Sequence, residues 1–261
     1  MYINLFNNVI LKLFFILYLI IPLLCNSNIK IIFKGLDSEL ENVVRKQFYN
    51  IDFNIIDINL DFKKQLTDAI ILGLKILGYY EPKIYFSQIL KDKNDKKSNI
   101  LIIAVDPGQP VIVSKMDICI FGEGKDDFDY QQIIEGSTVF LGRRLNHGDY
   151  EKFKKKLYSL SICKGYFDAK FQNSQLFVVP SLHQCIWKIH LYSGNRYVFE
   201  GINFENSQIK ENYLRNISNI HLGDFYHIKS IMELNRRLAD TNWFESIFTS
   251  SNIYNICQKK N

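Results

Sequence analysis

Apolar residues recur along this chain with two periods, one of two residues and one of three to four. Near the start, Ile29, Ile31 and Phe33 alternate with lysines, which predicts a half-buried strand that ends at Gly35. A helix is predicted to follow and to run to about Tyr49. The first element pair is therefore a strand and a helix.

The start of this first helix has two candidate caps, Asp37 and Ser38, and Glu41 stands where a capping box needs it. A second helix is predicted by apolar residues at three- and four-residue spacing. Its apolar face comprises Phe62, Leu66, Ala69, Ile70, Gly73 and Leu77. Two strand-like runs follow, at residues 83–90 and 100–105, with a charged loop between them. The predicted order is strand, helix, helix, strand, strand.

The same order is predicted again in the middle of the chain. The first strand has an apolar face of Ile112, Met116, Ile118 and Ile120. The long helix has a face of Tyr150, Phe153, Leu157 and Leu160. Two strands follow, and in the second Cys185, Trp187, Ile189 and Leu191 alternate with Lys188, His190 and Tyr192. The supersecondary unit is thus repeated.

A third copy is predicted to be shorter. It has a strand at residues 197–204, helices near residues 208–218 and 228–239, and a strand after Phe244. No apolar run after Asn252 is long enough for a final strand. We therefore expect the third copy to lack its closing element.

Each copy contains a helix stop followed by two aromatic residues. The stop residues are Gly78, Gly165 and Asn242. Glycine, or asparagine as second choice, adopts the left-handed backbone conformation just past a helix. Because the stops recur at domain-sized intervals, the sequence predicts an α+β chain of three tandem repeats. We place the repeats at residues 28–108, 109–194 and 195–261, the third being incomplete.

The N-terminal segment differs from the rest of the chain. Residues 13–25 carry no charge and follow Lys12, a run that fits the apolar core of an export signal better than a membrane span. Cys25 and Ser27 are small residues that suit cleavage after Ser27. Residues 1–27 are therefore predicted to be a signal peptide, and an uncleaved membrane anchor is the alternative.

Composition and charge describe an ordinary folded protein. Hydrophobic residues make up 47% and charged residues 23% of the chain, which excludes a disordered protein. The net charge is +5, but the lysines are scattered and no basic stripe is interleaved with aromatics, so we expect no nucleic-acid partner. Beyond the signal, the cysteines are expected to be buried thiols, with one disulfide as the alternative; they are Cys119, Cys163, Cys185 and Cys257.

Residue patterns that indicate catalysis are missing from the sequence. There is no His-Glu-x-x-His pair, no Cys and His cluster with metal-ligand spacing, no Gly-x-Ser-x-Gly elbow and no complete phosphate loop. We therefore predict no catalytic residues, no metal site and no cofactor, and we do not expect an enzyme.

Three exported repeats of this order resemble the polypeptide-transport-associated (POTRA) family. Several sequence segments also resemble the periplasmic POTRA region of the TamA family. Members of this family are the outer-membrane subunit of the translocation and assembly module and belong to the Omp85 superfamily. The segments lie at residues 35–36, 73–80, 148–155, 164–168 and 233–238. The resemblance covers nearly everything between Asn28 and Phe248. Members of that family continue into a membrane barrel, whereas no series of alternating strand segments follows here, so we do not expect this polypeptide to insert into a membrane alone.

The resemblance implies a function in outer-membrane protein or autotransporter assembly. The chain is expected in the periplasm, associated with the outer membrane, where it would bind unfolded clients and an inner-membrane-anchored partner. Strand addition would take place at the strand after each long helix. The residues implied are Lys83, Ile84, Tyr85, Phe86, Lys170, Phe171 and Gln172. The alternatives are an inner-membrane-anchored structural protein of the cell-division type and a degraded remnant.

Overall fold

The computed structural model of the protein describes residues 29–53, 59–89 and 99–250. The described chain has a mixed α+β fold with two three-stranded sheets. The strands are β1 (Ile29–Lys34), β2 (Lys83–Ile89), β3 (Asn99–Asp106), β4 (Ile112–Phe121), β5 (Lys170–Val179) and β6 (Gln184–Tyr192). The helices are α1 (Ser38–Lys46), α2 (Leu60–Ile76), α3 (Phe128–Gly136), α4 (His147–Cys163), α5 (Glu211–Ile217) and α6 (Ile228–Asp240). The predicted signal peptide and Cys257 lie outside the described residues.

The first compact unit contains the first sheet. It comprises the described residues up to Val111 together with Arg144–Asn146 and Pro180–His183. β3 lies in the centre, parallel to β1 on one side and antiparallel to β2 on the other. Two parallel strands need a crossover connection. Between β1 and β3 this connection includes α1 and α2. Both helices contribute to one apolar core with β1 and β3.

The helices of the first unit begin at side-chain caps. The Asp37 carboxylate accepts a hydrogen bond of 2.8 Å from the Leu40 backbone N–H, so Asp37 rather than Ser38 caps α1. Asn59 caps α2 in the same way through the Phe62 N–H. The predicted apolar face of α2, from Phe62 to Leu77, is buried throughout. An added Cβ at Gly73 would lie 2.8 Å from the Val44 Cα, so glycine allows α1 and α2 to approach closely.

The second compact unit contains the second sheet. It comprises Ile112–Arg143, His147–Val179 and the described residues from Gln184 onward. β6 is central, parallel to β4 and antiparallel to β5. The predicted alternation along β6 is confirmed, since Cys185, Trp187, Ile189 and Leu191 are all buried.

Trp187 of β6 contacts two aromatic side chains of α4. The Tyr150 and Phe153 rings of α4 lie 5.4 and 6.1 Å from the Trp187 ring, measured between centroids. Aromatic pairs at such distances add to the stabilisation from burial alone. The predicted buried face of α4 is therefore packed on the sheet, as the spacing of its apolar residues indicated.

One predicted position of the second repeat was wrong, and another is less buried than its neighbours. Ile112 is 40% exposed, whereas Val113 is buried, because a register shift between Val113 and Lys115 reverses the alternation at the start of β4. At the end of α4, Ser161 is fully buried and Leu160 is only half-buried. The buried Ser161 hydroxyl is hydrogen-bonded: it accepts a bond from the Tyr130 hydroxyl and donates one to the Leu157 carbonyl.

The region predicted as the third repeat lies in the second compact unit and contains α5 and α6 in the described chain. The predicted helices are confirmed, but the predicted strand at residues 197–204 is reduced to one isolated bridge between Val198 and Phe225, and residues 245–250 form no strand. Backbone hydrogen bonds join residues 197–199 to residues 223–226, but in the described chain this pairing is too short to form a strand. The buried core here is small and comprises Leu214, Leu234 and Leu238.

We expect the third repeat to exchange its backbone amides fastest. Its small core and single bridge leave few buried contacts to resist local opening. Hydrogen exchange followed by mass spectrometry should show lower protection in residues 197–250 than in β3 and β6, which are central strands. Equal protection in all three regions would contradict this prediction.

Candidate polypeptide-binding edge strands

The predicted helix stops lie at left-handed positions just past helices. The backbone φ is +87° at Gly78, +86° at Gly165 and +56° at Asn242. The Gly78 carbonyl accepts a hydrogen bond from the Val111 N–H, and the Gly165 carbonyl accepts one from the Tyr197 N–H. Each of the two glycines thus ends a long helix and also holds a later segment of its own compact unit.

β2 is an edge strand of the first sheet. It pairs with β3 on one side, and the sheet order places no described strand on the other. Its pairing with β3 continues from Lys83 to Ile89 without a register shift. Ile84 and Phe86 pack on the core, whereas Tyr85 is 61% exposed. β2 therefore offers a regular edge with an exposed aromatic side chain.

β5 is an edge strand of the second sheet, but its edge is irregular. It pairs with β6 alone among the described strands. A register shift between Phe171 and Asn173 places an extra residue, Gln172, in the strand. Such bulges twist an edge and hinder pairing with another chain. Beyond the bulge, Phe177 and Val179 project exposed apolar side chains.

A buried ion-pair cluster fixes the chain between α4 and β5. The Lys164 ammonium lies 2.5 Å from carboxylate oxygens of both Asp127 and Asp129. The Lys164 hydrogen bond lowers the pKa of Asp129 below its ordinary value. The Tyr166 hydroxyl donates to Asp127, and burial raises the pKa of Tyr166 to about 12. These contacts hold the turn that starts β5.

Aromatic rings surround this turn within the second compact unit. The Phe167 ring lies 5.3 Å from the Tyr197 ring and 4.7 Å from the Tyr226 ring. The Arg196 guanidinium lies 4.6 Å from the Phe225 ring centre, a distance suited to a cation–π contact. The aromatics after the Gly165 helix stop thus serve packing.

A group of potential metal ligands occurs on the second sheet, and sequence spacing did not reveal it. Asp117, Cys119 and His190 each place one donor atom within 4.8 Å of the others. Burial raises the pKa of the Cys119 thiol, and the Asp117 carboxylate beside it adds to the effect. Only the register of β4 against β6 shows that these residues are neighbours. The ligands of this group therefore come from strands that are distant in sequence.

Cys119, Cys163 and Cys185 are free thiols. Within residues 29–53, 59–89 and 99–250, the helices lack the length and apolar character needed to cross a bilayer.

Residues 197–260 match the POTRA family model, described as a surface antigen variable number repeat. Solved structures are also similar. The POTRA3–5 region of Haemophilus influenzae BamA is 18% identical, with 87% of this chain and 90% of that chain covered and a TM-score of 0.45. The N-terminal domain of Omp85 from Thermosynechococcus elongatus is 15% identical, with 85% and 88% covered and a TM-score of 0.34. POTRA1–3 of Omp85 from Anabaena is 15% identical, with 84% and 85% covered and a TM-score of 0.33.

Proposed function

We propose that the chain is a binding scaffold that holds extended polypeptide against its sheet edges. The observation that supports this most is the position of β2, a regular seven-residue strand at the edge of its sheet. An edge strand presents unpaired N–H and C=O groups to which a partner strand can bond. Because such bonds involve the main chain, binding tolerates varied client sequences.

The match of residues 197–260 to the POTRA model supports a place for this chain in outer-membrane protein assembly. We propose that the clients are unfolded outer-membrane proteins, including autotransporters, and that the chain works in the periplasm at the outer membrane in a TamA-like assembly. An inner-membrane-anchored protein would be its partner there. The apolar N-terminal segment supports export. Sequencing the mature N-terminus tests this part, because a chain that begins at Asn28 has lost its signal, whereas an intact start indicates an anchor.

β2 is expected to bind clients better than β5. β2 has an uninterrupted register, whereas the bulge in β5 disturbs the spacing of its backbone groups. Lys83 and Lys170 are the first residues of the two strands, and lysines on an edge discourage pairing with another chain. Because both strands begin with a lysine, this effect does not explain a difference in binding between them. The regular ladder is therefore the feature that favours β2.

Site-specific photocrosslinking tests the proposal. The probe is a synthetic peptide of about ten alternating apolar and polar residues, the pattern of an outer-membrane strand. A photoreactive residue at Tyr85 should crosslink strongly to the peptide, and one at Phe177 more weakly, since both side chains are exposed on edge strands. Matched controls are the exposed apolar helix positions Leu72 and Tyr158. Crosslinks that form only at these helix positions would contradict strand addition.

Proline substitutions separate main-chain pairing from side-chain contact. Successive backbone N–H groups along a strand point to opposite sides, one toward the neighbouring strand and the next toward the open edge. Of the two variants Ile84→Pro and Tyr85→Pro, one therefore removes an N–H donor from the open edge, and the other removes one that bonds to β3. One of these two variants should fold, as judged by circular dichroism, and lose crosslinking from a neighbouring position. Phe171→Pro should have the corresponding effect on β5. Retained crosslinking in both folded β2 variants would show that backbone pairing is not the mode of binding.

A further inference from the structure

The outer face of the second sheet holds three donor side chains of different chemistry. Cys119 and His190 are Cα partners in the parallel pairing of β4 with β6, and Asp117 lies two residues before Cys119 on the same face. The residues flanking His190 in β6, Ile189 and Leu191, face the buried core instead. The backbone register therefore places a nitrogen, a sulfur and a carboxylate donor side by side.

The donor atoms have spacings that suit one small metal ion. The His190 Nε2 lies 3.1 Å from the Asp117 Oδ2, and the Cys119 Sγ lies 3.7 Å from the Asp117 Oδ1. Ordinary zinc bond lengths in tetrahedral geometry require about 3.3 Å between nitrogen and oxygen ligands and about 3.5 Å between sulfur and oxygen ligands. Both spacings differ from these values by roughly 0.2 Å. The two contacts involve different oxygens of Asp117, so coordination of one ion through a single oxygen requires the carboxylate to rotate.

A second observation at the same place is an unsatisfied amide oxygen. Asn173 of β5 is the Cα partner of His190, so its side chain is on the same face of the sheet. Within the described chain, the Asn173 Oδ1 is buried and has no hydrogen-bond partner. Buried polar atoms are rarely left unpaired. A metal-bound histidine usually donates its other ring N–H to such an oxygen, which fixes the orientation of the ring.

We propose that Asp117, Cys119 and His190 bind a zinc-class divalent cation, with Asn173 orienting His190 and water as the fourth ligand. A mixed nitrogen, sulfur and oxygen set suits zinc, whereas calcium and magnesium prefer oxygen donors alone. Binding converts the Cys119 thiol to a thiolate, and its proton passes to solvent. Lys188 is the Cα partner of Asp117, and its positive charge would repel a bound cation.

Thiol protection in the unmutated full chain tests the site with zinc alone as the probe. The reduced protein is alkylated with and without stoichiometric zinc, and modification is mapped by mass spectrometry. Zinc should slow alkylation of Cys119 at least about tenfold, because a metal-bound thiolate is a poor nucleophile. Cys163 is the matched control, since it is also a half-buried free thiol. No protection, or equal protection of both cysteines, would overturn the proposal.

Variants then identify the other ligands. His190→Gln should abolish zinc protection of Cys119, and Asn173→Ala should weaken zinc affinity about 10- to 100-fold, as expected for a group that orients a ligand. Cobalt loaded in place of zinc should give a thiolate-to-metal charge-transfer band that Cys119→Ser lacks and Cys163→Ser retains. Unchanged protection in a folded His190→Gln variant would exclude His190 as a ligand and overturn the site.

Discussion

Replacing Leu157 by aspartate is expected to lower the free energy of unfolding of the second compact unit by about 4 kcal/mol or more. Leu157 is fully buried on the face of α4 that also carries Tyr150 and Phe153. The rings of those two residues pack on Trp187 of β6, so a carboxylate at Leu157 would lie in the apolar layer between helix and sheet. It would have to be buried without a counterion or protonated, and both are costly.

Urea unfolding followed by circular dichroism and tryptophan fluorescence measures this loss. Leu157→Ala removes the side chain without adding charge and should cost about 2–5 kcal/mol. Ser159→Asp is the matched control, because this exposed position on the same helix should accept a carboxylate with a change within about 0.5 kcal/mol. An unchanged unfolding midpoint for Leu157→Asp would show that α4 does not pack on the sheet as described.

The helix faces and the central strands were predictable from the sequence because local periodicity determines them. A fully buried helix face requires apolar residues every three or four positions, and α2 follows this pattern from Phe62 to Leu77. Strict alternation along β6 likewise indicated which side chains face the core, and Trp187 is among them. The helix stops have a similarly local cause in the left-handed backbone of Gly78 and Gly165.

Features that depend on pairing between distant strands were not predictable. The exposure of Ile112 follows from a register shift against β6, which no local pattern of β4 encodes. The strand predicted at residues 197–204 forms, among the described residues, only the isolated bridge between Val198 and Phe225 and no extended ladder. The approach of Asp117 and Cys119 to His190 also depends on strand register. These three residues therefore form no short sequence motif.

The buried ion pair of Lys164 is expected to have the second large effect on stability. The side chains of Lys164 and Asp127 are 10% and 8% exposed, so removing the ammonium leaves the Asp127 carboxylate buried without its counterion. Breaking a buried pair in this way costs about 3–5 kcal/mol. We therefore expect Lys164→Met to lower the free energy of unfolding by about that amount, as measured by urea denaturation.

A double variant separates the charge from the packing. Asp127 caps α3 by accepting a hydrogen bond from the Asp129 N–H, and asparagine retains this capping ability. Lys164→Met combined with Asp127→Asn should therefore be more stable than Lys164→Met alone, since no unpaired charge remains at Asp127. If the double variant is as unstable as the sum of the two single variants, the loss comes from packing and not from an unpaired charge.

The same cluster predicts a dependence of stability on pH. The Lys164 hydrogen bond lowers the pKa of Asp129 in the folded state below its unfolded value. Its contribution to stability is therefore complete above the unfolded pKa of about 4 and is lost as the pH falls through the folded pKa. Unfolding curves from about pH 6 to about pH 2 should show a steeper loss on acidification in the wild-type chain than in Lys164→Met. Parallel pH profiles for the two proteins would mean that Lys164 does not stabilise the charged form of Asp129.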